Sequence, residues 1–258
     1  MENHQGEGGR DREALSPPNP PIINAPPVVL YLALAIIAAH VLFLVAPDRL
    51  QSFFVWVGAV SPFRVTHLRG GLIASALPLV GHVFLHAGWM HLLLNCVWLV
   101  AFGAPVARMM GAEKGAGQRR AALYFLLFFM ASGVAGAFAY IAVHPNDATM
   151  LIGASGAVSG LLGGLVRFAF RPRQEVIRAL IERGADGSNR PGSVIWSGLF
   201  SRTVISWSVA VVILNLIGGV FAPGLADANG GIAWEAHLGG YFFGLLAFPY
   251  FAQRARDF

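Results

Sequence analysis

The chain has 258 residues, 56% of them hydrophobic and only 12% charged, with a formal net charge of +5 and a mean hydropathy of +0.62. A soluble domain carries about 25% charged residues, so composition argues against a water-soluble globular class and for a polytopic membrane protein. The single cysteine, Cys96, excludes an intrachain disulfide, and no nucleic-acid motif accompanies the positive charge.

Residues 1–27 are polar, then proline-rich ("SPPNPPIINAPP"), and lack the basic, apolar, cleavable pattern of a signal peptide. They read as a disordered cytoplasmic tail. A helix needs about 20 apolar residues to cross a bilayer, and Val28–Ala46 is the first such stretch, closed by Pro47 and Asp48. Residues 47–86 follow, neither span nor ordinary loop. Their segment "QSFFVWVGAVSPFRV" places Phe53, Phe54, Trp56 and Phe63 among Pro and Arg, a composition suited to the membrane interface. An interfacial loop lying partly in the outer leaflet is expected there.

Ala87–Val106 is the second candidate span, Ala121–Val143 the third and Thr149–Val166, which is short, the fourth. After it, "EVIRALIER" (175–183) puts Val176, Ile177, Leu180 and Ile181 at helical spacing ahead of Gly184, the pattern of a short amphipathic helix on the cytoplasmic surface. Val204–Ala226 is the fifth span and Ala236–Ala252 the sixth, with a cytoplasmic tail at 253–258. The expected fold is all-α, with six transmembrane helices in one domain, 28–252.

Orientation follows from the basic residues. The N-terminal tail, the loops after spans two and four, and the C-terminus hold all but three of the 18 Lys and Arg, leaving Arg49, Arg64 and Arg69 on the other side. The positive-inside rule places both termini in the cytoplasm, in agreement with an even number of spans.

Polar residues inside spans are costly and mark function by default. Span two opens "HAGWMHLLLNC" with His86, His91 and Asn95; span four opens "GASGAVSGLLGG" with Ser155 and Ser159; span six opens "WEAHLGGYFFG" with Glu235 and His237. All three groups head even-numbered spans, so they share one depth on the outer side. His91 and Asn95, four apart, lie on one helical face. Ser155, Ser159 and Gly163 form a small-residue stripe, beside Gly156, Gly160 and Gly164, while Gly240 and Gly244 continue below His237. Such stripes let membrane helices approach closely, so span four is expected against span six with Ser155 meeting His237. A serine bonded to a histidine is an activated nucleophile. Singly these signals have plainer readings: small stripes serve packing, serines bond back to their own helix, His40 is merely tolerated in its span, and Cys96 packs. Glu235, two residues from His237, is rotated about 200° from it on a helix, which argues against a Ser–His–acid triad and places the carboxylate at the outer interface, in water.

Taken together, "HAGWMHLLLN", "GASG" and "AHLGGYFFG", in this order and on these spans, resemble the rhomboid intramembrane serine proteases in their six-span bacterial form, over roughly residues 28–252. The resemblance implies Ser155 as nucleophile and His237 as general base, with His91 and Asn95 as oxyanion-binding side chains. It matches Gly153 and Gly156 to the positions flanking the serine, His86 to a structural loop histidine, and Gly240 and Gly244 to helix-packing glycines. Two departures stand out. The stretch "SALPLVGHVF" lacks the Trp-Arg pair that some members carry in the first loop. Ser159 stands where many members place an aromatic residue against the catalytic histidine, so that histidine must be positioned from elsewhere.

What the resemblance implies is hydrolysis of peptide bonds in the transmembrane segments of other proteins, in substrates with helix-breaking residues and a small residue at the cut. The expected location is a bacterial inner membrane, with the site open to the extracytoplasmic side. If residues 147–155 are helical, Ser155 lies about 12 Å along the axis from Asp147, below the surface yet within reach of an aqueous cavity. No cofactor, metal or nucleic-acid partner is expected; the partners are membrane-protein substrates and the lipid bilayer. The competing expectation is a proteolytically inactive relative that binds membrane clients. A transporter finds no support, since neither an internal repeat nor a charged pathway is evident.

Overall fold

The computed structural model describes residues 24–113, 117–168, 198–221 and 232–256. The amphipathic segment 175–183, nearly all of the N-terminal tail and the last two residues lie outside these.

Helix α1 (Pro27–Val45) opens on a proline, whose missing N–H is no loss in a first turn, and stops where Ala46 turns extended (ψ 144°) ahead of Pro47. Residues 47–86, expected as an interfacial loop, are mostly helical. They form α2 (Asp48–Gly58), α3 (Pro62–Thr66) and α4 (Gly71–Gly81), then a 3-10 turn, His82–Phe84. Local signals account for this: the Ser61 hydroxyl accepts the Arg64 N–H, and Pro62 sits in the first turn of α3. Phe53 and Trp56 remain exposed on α2.

Helix α5 (Trp89–Met110) ends at Gly111, whose φ of +89° lets Ala112 N–H return to the Ala107 carbonyl. Helix α6 (Gln118–Val143), α7 (Ser155–Phe168), α8 (Arg202–Phe221) and α9 (Trp234–Arg256) complete the described helices. Helix α9 runs past Ala252, through part of what the sequence suggested was a tail. The fourth expected span begins at Thr149, but α7 begins at Ser155. The residues before it are held extended by an antiparallel bridge between Val60 and Leu151. Phe63 N–H donates to the Asp147 carbonyl, Thr66 Oγ1 to the Pro145 carbonyl and Gly153 N–H to the His82 carbonyl. Asp147 is occupied locally: its carboxylate accepts the Thr149 N–H, which holds its carboxyl below the usual range. The 12 Å depth, which assumed a helix, therefore does not apply; the connection is stitched to the α2–α4 region instead.

Helix α9 is the hub, packing most extensively on α6 and α7; α7 also packs on α6 and α5, and α1 on α5. The α7–α9 seam is made of backbone. A Cβ on Gly240 would run into the Gly156 carbonyl, and one on Gly244 into the Gly160 carbonyl. The small-residue stripes thus do what their spacing suggested. Behind the seam, Leu92, Leu99, Phe125, Phe128, Phe129, Leu161 and Phe248 are fully buried.

The outer surface is apolar: Leu72, Ile73, Val97 and Leu214 are among many exposed large hydrophobic side chains. Among the described residues four helices, α1, α5, α6 and most of α8, are long and apolar enough to cross a membrane. A water-facing monomer rarely exposes so much apolar surface, whereas helices with all backbone groups satisfied internally are the elements a bilayer accepts. The protein is an integral membrane protein. Helix α7, at 14 residues, and α9, with its polar head, fall short of the same measure of length and hydropathy.

Candidate active site

Three helices deliver the polar heads singled out in the sequence to one place. Asn95 of α5, Ser155 and Ser159 of α7 and His237 of α9 line a single cavity of about 210 Å³, together with Trp98, Phe102, Val158, Leu162 and Asn215. Ser155 is the first residue of α7, so its hydroxyl stands beside first-turn N–H groups that have no intrahelical acceptor. The preceding Gly153 is at φ +109°, a region that disfavours any side chain, and a Cβ there would fall 2.7 Å from the His91 ring. That glycine lets the chain turn sharply into α7 while His91 packs against it.

The close seam sets the distance across the cavity. Because α7 and α9 touch through Gly156 and Gly160 against Gly240 and Gly244, close below Ser155 and His237, these two residues line the same space. Among the described residues, however, no hydrogen bond joins their side chains. The bond that His237 does make is from Nδ1 to Asn215 Oδ1 of α8, at 2.9 Å.

The expected oxyanion pair divides. Asn95 is buried and lines the cavity, its Nδ2 donating to the His91 carbonyl at 2.9 Å. A carboxamide nitrogen carries two hydrogens, so a second donor remains. His91 is not among the lining residues. Its ring lies edge-on to His86, with centroids 5.1 Å apart, and His86 in turn faces His40 at 6.3 Å. His40, buried in α1 and edge-on to Trp89 at 5.1 Å, is thus part of a ring stack that supports the head of α5. Gly156, Gly240 and Gly244 lie in the α7–α9 seam rather than at the cavity wall. Glu235, expected in water, is buried: its Oε1 stands 2.8 Å from His144 Nε2 at the end of α6. Among the described residues no group of three or more His, Cys, Asp or Glu could hold a metal ion.

Sequence reasoning missed Asn215. The signal was present, since it is a carboxamide in the middle of an apolar span, "SVAVVILNLIGG". Asn215 lies in the middle of its span, so a comparison of span heads passes over it.

Comparisons with known proteins agree with the site's setting. The Rhomboid domain family model matches residues 74–254. Rhomboid protease GluP of Bacillus subtilis (strain 168) is 30% identical over 165 residues, 64% of this chain and 24% of that protein. Putative rhomboid protease YdcA of the same organism is 31% identical over 137 residues, 53% of this chain and 60% of that protein. The chain thus spans about a quarter of one curated relative and three-fifths of the other.

Proposed function

The chain belongs to the rhomboid family, and from that premise we propose that it is an intramembrane serine endopeptidase that cuts transmembrane segments of other proteins with a Ser155–His237 dyad. The observation that carries this reading is the shared cavity: a serine, a histidine and a carboxamide from three separate helices line it together. His237 takes the Ser155 proton as the hydroxyl oxygen attacks the scissile carbonyl, then gives that proton to the leaving amine. The tetrahedral oxyanion forms beside the Asn95 amide and the Ser155 N–H, preorganised donors of the kind that dominate such catalysis. Water then releases the acyl group. The serine–histidine bond absent from the resting structure forms as substrate fills the cavity, since catalytic hydrogen bonds commonly tighten only in the Michaelis complex.

With α7 and α9 added to the four long apolar helices, the chain crosses the bilayer six times. The basic residues then place both termini in the cytoplasm and open the cavity on the extracytoplasmic face of a bacterial inner membrane. A substrate must present extended backbone at the cut, so helix-breaking residues and a small residue there favour cleavage.

The alternative, a client-binding relative without proteolysis, is favoured by one observation, the missing serine–histidine bond. One experiment separates the two. The purified protein is labelled with a fluorophosphonate probe and incubated with a transmembrane reporter substrate, beside Ser155→Ala and His237→Ala. Cleavage and labelling lost in both folded variants support the protease; an unlabelled, non-cleaving wild type supports the client binder.

A further inference from the structure

Asn215 is a costly residue in its position. A carboxamide in the middle of an apolar helix must find partners for its polar atoms, because leaving them unpaired away from water is strongly unfavourable. The structure shows where they are: Nδ2 donates to the Val211 carbonyl one turn back, at 2.9 Å, and Oδ1 faces His237 Nδ1, also at 2.9 Å. The amide has only this orientation available, because turning it over would set Oδ1 against the Val211 carbonyl oxygen, acceptor against acceptor. An amide oxygen only accepts, so the proton between Asn215 and His237 must sit on Nδ1 of the imidazole.

We infer that Asn215 is the positioning residue of the dyad, holding His237 in the tautomer whose Nε2 carries the lone pair that Ser155 needs. The inference rests on the dyad reading proposed above. Val211 anchors the amide, the amide fixes the ring, and the ring presents a base. During attack the Ser155 proton moves to Nε2, the other proton stays on Nδ1 and is donated to Asn215 Oδ1, and the imidazolium that forms is stabilised by the Oδ1 dipole. A carboxylate in the same place would stabilise it more, but would put a negative charge in the middle of a membrane helix. The carboxamide orients without that cost. It also answers the question left by Ser159, whose small side chain faces the cavity without a ring to pack on the histidine.

A plainer role would be adhesion. Among the described residues helix α8 packs mainly on α9, and a second polar tie, Ser208 Oγ to Tyr241 Oη at 2.9 Å, joins the same two helices. That second tie is the control. Among the described residues the ionisable groups around His237 are also few. His91 of α5 lies within electrostatic reach, Glu235 on its own helix and His144 of α6 are paired with each other, and the described polar residues that α7 and α8 bring to the cavity, Ser155, Ser159 and Asn215, carry no charge.

The test uses the full chain, with 15N-labelled histidine, in detergent micelles. The His237 ring resonances are assigned by their loss in His237→Ala. Wild type is expected in the Nδ1–H tautomer. Asn215→Leu should lose that preference and lower kcat about 10- to 100-fold at unchanged KM, the worth of one hydrogen bond to a group that becomes charged. Ser208→Ala should leave tautomer and kcat as they are. Asn215→Asp keeps an acceptor and should recover most of kcat, while its negative charge favours imidazolium and moves the acid limb of the kcat profile to higher pH. The inference is overturned if Asn215→Leu keeps the wild-type tautomer, if Ser208→Ala costs as much kcat as Asn215→Leu, or, should Asn215→Leu not fold, if the acid limb of Asn215→Asp does not move. Wild-type cleavage by Ser155→Ala would instead sink the dyad reading, and the His237 tautomer would still report whether Asn215 holds the ring.

Discussion

His144 Nε2 and Glu235 Oε1 meet at 2.8 Å, tying the end of α6 to the first turn of α9. Glu235 is two residues from His237, yet it is held by a different helix and turned to a different face. On the proposed dyad, the carboxylate is expected to fix where α9 starts and to take no part in proton transfer. Glu235→Gln keeps an oxygen acceptor for His144 and should retain most activity. Glu235→Ala leaves His144 without its partner; because His144 is partly exposed, water compensates it and the loss of stability should stay near 1 kcal/mol. Turnover and thermal unfolding of the two variants check this. A loss of activity in folded Glu235→Gln approaching that of His237→Ala would make Glu235 part of the catalytic group.

Asn95 and His91, both expected at the oxyanion, stand in different places. Asn95 lines the cavity, and His91 packs on Gly153 outside its lining. Asn95→Ala should lower turnover roughly 10- to 1,000-fold, up to the cost of a lost oxyanion donor, with probe labelling of Ser155 slowed and still measurable. His91→Ala should cost less turnover and more thermal stability, since it removes the ring that wedges the entry to α7. Equal turnover losses in the two variants would place His91 at the oxyanion as well.

Periodicity made the spans legible because a bilayer leaves little choice: an apolar run of the right length is a helix, and its polar head lies at its edge. Ser155, His237 and Asn95 could be placed at one level for that reason alone. The glycine stripes were equally readable, since only a backbone-to-backbone seam explains Gly240 and Gly244 against Gly156 and Gly160. Residues 47–86 resisted because short helices near an interface carry no full-length apolar signature; their shape is set by local capping at Ser61 and by long-range bonds such as Thr66 to Pro145. The entry to α7 resisted because the bridge from Val60 to Leu151 joins distant segments. Asn215 is a partner found only in three dimensions, across 22 residues and an interhelical gap.

Membrane orientation gives an independent check on the cavity's direction. A reporter fused after Phe258 should read cytoplasmic, and one inserted near Asn146, in the connection that precedes α7, should read extracytoplasmic. The basic loops make this the expected sign. The reverse pattern would turn the cavity toward the cytoplasm and change which face of a substrate it meets.

The seam between α7 and α9 makes the sharpest stability prediction, because two opposed effects can be weighed. Replacing a helical glycine by alanine gains about 1 kcal/mol of helix propensity in a soluble helix. At Gly103 the new Cβ would sit 3.4 Å from the side chains of Leu161, Leu99 and Phe125, ordinary contact, so Gly103→Ala should be neutral or slightly stabilising. At Gly244 the new Cβ would collide with the Gly160 carbonyl, and at Gly240 with the Gly156 carbonyl. These obstacles are backbone atoms of a packed helix and cannot rotate away, so the helices must part. Overpacking of this kind costs about 1–3 kcal/mol, which outweighs the propensity gain, and the displacement is passed to the head of α9, where His237 faces Ser155 across the cavity. Gly240→Ala and Gly244→Ala should therefore lower both the unfolding temperature and turnover, Gly240→Ala the more in turnover because it is less than one turn from His237. Thermal unfolding and cleavage of the reporter substrate, measured on the three variants in the same detergent, decide the matter. If Gly244→Ala proves as stable as Gly103→Ala, the helices are not in backbone contact and the seam does not set the geometry of the site.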